Sequence, residues 1–186
     1  GPSLDTLFDR CGMRWPESTL WWVAAEGLRA LRDLHRGGVV HRDVKPDNFA
    51  VSYGGDLFKG GRHPPRLLVF DLGLSYQYVG LSTPSSSSSS SYSSSSSSST
   101  PSPSHVSYRD GLSLIGTTRY ASLWNHLGVQ QTRRDDLESF AYVLLYFFRA
   151  GRGLPWQGHE ARGDAAPGGD WRRAVMHEKM ERGRPL

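Results

Sequence analysis

From Glu17 to His35 the apolar residues Leu20, Val23, Ala24, Leu28, Leu31 and Leu34 recur at intervals of three and four. That period lays them along one stripe of a helix, and the Arg36-Gly37-Gly38 step supplies a stop. The pattern then shortens. A Val39-Val40 pair leads into a polar loop, His41 to Asn48, and two β-prone runs follow, Phe49 to Ser52 and Arg66 to Phe70. The Gly- and Pro-rich stretch between these runs predicts a β-hairpin. Asp135 to Arg149 predicts a helix apolar on nearly all sides, hence buried at the centre of a helical domain. Gly158 to Gly169 reads as a loop and Trp171 to Met180 as a final helix. Residues 84–104 have no such pattern. They are almost entirely Ser, Thr and Pro, so no structure is predicted for them, and order is expected to resume near Tyr108.

Setting that stretch aside leaves about 165 residues for a core, enough for one domain. The formal charge of +4 and pI near 9.4 favour phosphate or acidic partners slightly over basic ones. A single cysteine, Cys11, excludes an internal disulfide framework, and no secretion signal is visible. The most apolar run, Leu137 to Phe148, carries Glu138 and falls short of the ~20 residues a membrane span needs. The expectation is an intracellular monomer, in cytoplasm or nucleus, without membrane or nucleic-acid partners.

The chemistry is concentrated in two motifs. His41-Arg42-Asp43-Val44-Lys45-Pro46-Asp47-Asn48 precedes the predicted hairpin, and Asp71-Leu72-Gly73 ends its second strand. Either motif alone is a common turn. In this order they form a set suited to phosphoryl transfer. Asp43 would orient a substrate hydroxyl and accept its proton, and Lys45 would set a positive charge on the transferred group. Asn48 and Asp71 offer a neutral and an anionic oxygen for Mg²⁺, which implies ATP. Gly73 leaves the backbone free beside Asp71. Arg42 could bind an anion or pair within the loop.

These residues, with Gly1-Pro2-Ser3-Leu4, Gly116 to Phe147 and Leu154-Pro155-Trp156-Gln157-Gly158, resemble a protein serine/threonine kinase of the casein kinase 1 family. Ala121-Ser122-Leu123-Trp124-Asn125-His126 is similar to that family's replacement for the usual Ala-Pro-Glu. The resemblance implies a fold that is mainly α with a small β-hairpin, the C-terminal lobe of the α+β kinase fold, with residues 1–186 forming one partial domain. It implies ATP-dependent phosphorylation of Ser or Thr in acidic or already phosphorylated protein substrates. By the same resemblance Thr117 bonds between Asp43 and Lys45, Asp136 anchors the loop that holds His41 and Arg42, and Arg119, Arg172 and Arg173 bind the substrate's anion. Plain helix capping is the alternative for Asp136, and solvated side chains for the arginines. Arg133 and Arg134 read as structural.

Several positions depart from the family pattern. No G-x-G-x-x-G and no Val-Ala-x-Lys strand occurs in the 186 residues, so the N-terminal lobe is expected to be absent and the isolated chain inactive. One side of the helix at 137–148 is then uncovered and solubility poor. Ala50 stands where the family has Leu under the adenine, at ~0.8 kcal/mol per buried methylene lost. Ser3 and Asp5 could contact ribose, although a helix cap also explains Ser3. Serines from Ser85 to Ser99 sit at every spacing for sequential phosphorylation, whose product would occupy the Arg119 pocket and inhibit; a neutral expansion explains them equally. The competing function is a catalytically inactive scaffold that binds protein partners through this lobe.

Overall fold

The structure, a computed structural model, describes residues 1–52, 64–81, 103–158 and 171–182. Helix α1, Leu4–Arg10, starts at Ser3, whose hydroxyl accepts the Thr6 N–H at 3.2 Å. Helix α2, Glu17–Arg36, ends within a residue of the predicted stop and buries Leu20, Val23, Ala24 and Leu31. Leu28, on the same predicted stripe, stays 48% exposed. Three two-stranded antiparallel pairs follow. Strands β1, Val39–Val40, and β4, Tyr76–Gln77, form one. Strands β2, Phe49–Ser52, and β3, Arg66–Val69, form the predicted hairpin, with Phe49 opposite Val69 and Ser52 opposite Arg66. The third joins β5, Val79–Leu81, to β6, Pro103–His105.

That third pair corrects the sequence reading. Pro103 and Ser104 lie in β6, inside the stretch expected to carry no structure. A ladder is built from backbone groups, so a partner strand can recruit residues whose side chains show no strand pattern. The rest of the serine tract lies outside the described residues, as do most of the hairpin loop and of the loop expected from Gly158 to Gly169.

Helices α3, Leu123–His126, α4, Arg133–Phe148, and α5, Trp171–Arg182, follow among the described residues. The centre is aromatic. Phe8 meets Trp15 at 5.0 Å and Phe147 at 4.8 Å between ring centroids, and Phe49 meets Phe140 at 5.5 Å. Each such ring contributes about 1.5–3 kcal/mol by burial. Gly27 lets α2 approach α4, because a Cβ there would lie 2.1 Å from the Phe140 ring. Helix α4 is not buried on all sides. Phe140, Val143 and Phe147 face the core, while Leu137, Leu145 and Phe148 remain 38–43% exposed. Apolar content implied burial on nearly all sides and the family pattern one uncovered side; α2 and the core cover one face only. The architecture is thus mainly helical with small antiparallel pairs. No helix among the described residues is long and apolar enough to cross a membrane.

Candidate active site

The polar loop from His41 to Asn48 links β1 to β2 and is held from below by α4. Asp136, 1% exposed, accepts the His41 N–H at 2.8 Å and the Arg42 N–H at 2.9 Å, and His35 Nε2 lies 2.8 Å from its Oδ2. A charged acceptor for two backbone donors holds Arg42 at a φ of 68°, where a non-glycine residue is strained. Capping does not occupy Asp136. Thr132 is the N-cap of α4 and Asp135 its reciprocal partner, with Asp135 Oδ2 accepting the Thr132 N–H at 2.7 Å. Inside the loop, His41 Nδ1 accepts the Asp43 N–H at 3.2 Å, so the ring proton sits on Nε2 and is donated to Phe70 O at 2.9 Å. That fully buried imidazole ties the loop to the end of β3.

Asp43 is partnered at both oxygens. Oδ1 accepts the Thr117 N–H and the Thr117 hydroxyl, each at 2.8 Å, and Oδ2 lies 2.8 Å from Lys45 Nζ. Lys45 Nζ also donates to Thr117 Oγ1 at 3.4 Å. Burial pushes the Asp43 carboxyl up, but the hydrogen bonds from Lys45 and Thr117 and the Lys45 charge outweigh it and hold the pKa below its ordinary value. For Lys45, burial pushes down and is outweighed by Asp43, with Asp47 and Asp71 adding, so its pKa is raised. Both groups are charged at neutral pH.

Asn48 and Asp71 flank the first rung of the hairpin, where the Phe70 N–H donates to Asn48 O at 3.0 Å. The Asn48 amide nitrogen donates to Asp43 O at 2.9 Å. This orientation leaves Asn48 Oδ1 without a donor among the described residues. Asp71 is exposed and its carboxylate makes no hydrogen bond or ion pair among them. Asp71 takes a φ of 61°, whereas a Cβ on Gly73 would meet only Asp71 Oδ1, at 3.4 Å, so the strained residue of this motif is the aspartate. Among the described residues no three or more His, Cys, Asp or Glu side chains gather as a metal site. An Asn–Asp pair fits Mg²⁺ when phosphates and water complete the shell.

The remaining predicted residues fall around this centre. Ala50 pairs with Leu68 and bridges Ser3, which is occupied as the α1 cap. Burial, then Asp47 and Asp9, raise the Asp5 pKa, and Arg119 opposes them. Arg42 stacks on Tyr76 at 5.0 Å and donates from Nε to Leu74 O at 2.5 Å, a pairing within the fold. Arg119 is half-buried and turns toward Asp5 and the Tyr120 hydroxyl. Arg172 lies over Trp171 at 5.8 Å, and Arg173 is exposed on the same turn. A substrate anion at Arg119 would compete with these protein partners.

Other supporting residues were given no role by the sequence, although Ser122 and Asn125 lie in the Ala121–His126 motif. Gly116, at φ 90°, passes so close to the loop that a Cβ would lie 2.4 Å from Arg42 O. Its position just before Thr117 was the available signal. Asn125 brackets Ile115, accepting its N–H at 3.2 Å and donating to its carbonyl at 2.7 Å. Ser122 donates to Asp135 Oδ1 at 2.6 Å. Lys179 of α5, 3% exposed, donates to Thr118 O at 3.0 Å and Ala121 O at 2.7 Å, with the Tyr142 and Trp156 rings beside it. The segment carrying Thr117 is therefore fastened from three sides. No protein-family model matches the chain.

Proposed function

We infer that the chain is the substrate-side lobe of an ATP-dependent protein serine/threonine kinase of the casein kinase 1 type, with substrates acidic or phosphorylated near the target hydroxyl. The observation that carries this reading is the convergence of Lys45 and Thr117 on the two oxygens of Asp43. A plain loop needs no such arrangement, since a buried ion pair contributes little net stability.

In this reading Asp43 orients the Ser or Thr hydroxyl. Its depressed pKa makes it a weak base, so it takes the proton late, as the hydroxyl oxygen bonds to phosphorus and the bond to the ADP oxygen breaks. Lys45 stays protonated throughout and is placed to follow the negative charge onto the transferred group. Thr117 keeps the carboxylate from rotating. Mg²⁺, held by Asn48 Oδ1 and Asp71, would neutralise the nucleotide phosphates.

The test joins these 186 residues to the nucleotide-binding lobe of a casein kinase 1 protein and measures phosphate transfer from ATP to a phospho-primed peptide. The expected result is transfer by the joined protein, none by the 186 residues alone, and a loss of ~10²- to 10⁴-fold on Asp43→Asn. A folded joined protein that neither transfers phosphate nor binds MgATP would favour the scaffold reading.

A further inference from the structure

A second concave region lies on the other side of His35, where the end of α2, the β4–β5 segment and the start of α4 enclose about 1060 Å³. Four cations line it, Arg32 and Arg36 from α2 and Arg133 and Arg134 from α4, over the apolar side chains of Leu28 and Leu137. Those two leucines are 48% and 43% exposed. We propose that this groove docks an acidic segment of a partner protein, carboxylates or phosphates meeting the arginines and an apolar side chain resting on Leu28 and Leu137.

Charge is the first argument. Two carboxylates answer the four arginines among the described residues: Asp33 pairs with Arg32 at 2.9 Å, and Asp135 Oδ2 lies 3.5 Å from Arg134 Nε. Asp135 and Asp136 lie beneath, at most 1% exposed and engaged by the helix cap and the catalytic loop. Arg36 has no hydrogen bond or ion pair among the described residues. Arg133 and Arg134 occupy the first turn of α4, whose dipole is positive at that end. Helix stability therefore disfavours two arginines there, whereas an anion in the groove would be drawn by both the arginines and the helix end.

The arginines are also arranged before any ligand arrives. Arg133 lies over the Tyr78 ring at 5.0 Å and Arg134 over the Trp124 ring at 4.6 Å, which lowers the entropy lost on binding. The groove also offers little to nucleic acid, because its one aromatic ring, Tyr78, is 5% exposed with Arg133 over it and leaves no face for a base to stack on. The volume exceeds what a lone phosphate needs and lies at the upper end for small-ligand sites, which suits a stretch of peptide.

This docking is independent of catalysis and is read without nucleotide. The probe is a fluorescein-labelled peptide of Glu with interspersed Leu, titrated with the protein and followed by anisotropy. Binding is expected, weakening as salt is raised. Reversing two exposed contacts, Arg36→Glu with Arg133→Glu, is expected to weaken it at least about ten-fold. Arg36→Gln, at an exposed side chain with no ion pair among the described residues, weakens it a few-fold, and Arg152→Glu, beyond the far end of α4, leaves it unchanged. The proposal is overturned if the unmodified protein ignores the peptide, if Arg36→Gln binds as the parent does, or if Arg152→Glu matches the loss. It is equally overturned if an RNA oligonucleotide binds more tightly than the peptide with the same dependence on Arg36.

Discussion

The two ends of the candidate site are built on opposite principles. At the His41–Asn48 loop, Asp43 is buried and both its oxygens are engaged, by Thr117 and by Lys45. At the hairpin end, Asp71 is exposed, and neither it nor Asn48 Oδ1 has a protein partner among the described residues. A group that must be oriented before a reaction is held by the protein, which spares reorganisation during the step. In the proposed reading, the open oxygens of Asp71 and Asn48 leave coordination positions for an incoming Mg²⁺. Substitutions at the first end should therefore act on the fold as well as on phosphate transfer, and those at the second on ligand binding alone.

The most severe break is expected at Asp136. Asp136→Ala leaves the His41 and Arg42 N–H groups and the His35 ring without an acceptor in a buried place, a cost of about 3–5 kcal/mol. Urea denaturation measures it, and a loss under about 1 kcal/mol would mean the loop is held by something else. Gly116→Ala comes next. A Cβ 2.4 Å from Arg42 O at φ 90° must displace the loop, at a cost of order 1–3 kcal/mol, and it should also reduce phosphate transfer in the joined protein.

The pH dependence of stability probes the pair directly. Asp43 has a folded pKa below its unfolded value of about 3.9, so its contribution is present above that pH and is lost as pH falls through the folded pKa. Lys45→Met removes two of the influences that hold the carboxyl down. Acid unfolding should then begin at higher pH than in the parent, and an unchanged acid limb would show that Thr117 alone keeps Asp43 ionised. Asp71→Asn sharpens the contrast from the other side. Stability should move by under about 0.5 kcal/mol, as at other exposed positions. In the joined protein, Mg²⁺-dependent ATP binding should nonetheless weaken at least about ten-fold. A large change in melting temperature would show that Asp71 supports the fold after all.

Helix α2 and the β2–β3 hairpin were legible because their signals are local: a three-and-four spacing, and β-prone runs on either side of a Gly- and Pro-rich loop. Strand β6 was not, since Pro103–His105 becomes a strand only through the backbone of Val79–Leu81. An uncovered side of α4 was expected from the family pattern, but which residues carry it was hidden for a related reason. Leu137, Leu145 and Phe148 are as apolar as Phe140 and Phe147, and only the position of α2 distinguishes outside from inside.

The sequence by itself determined which reactive groups sit together in one loop, because Asp43, Lys45 and Asn48 are separated by two and three residues and need only a turn to converge. Residue spacing alone could not divide the roles of the adjacent carboxylates Asp135 and Asp136, and left Asp136 open between loop anchor and helix cap. Successive helical residues point about 100° apart, so one closes the cap of α4 while the other reaches a loop 95 residues earlier in the chain. The arginine groove likewise exists only where α2 and α4 meet. Local chemistry can be read along the chain, but the direction in which a side chain finds its partner is set by how the helices pack.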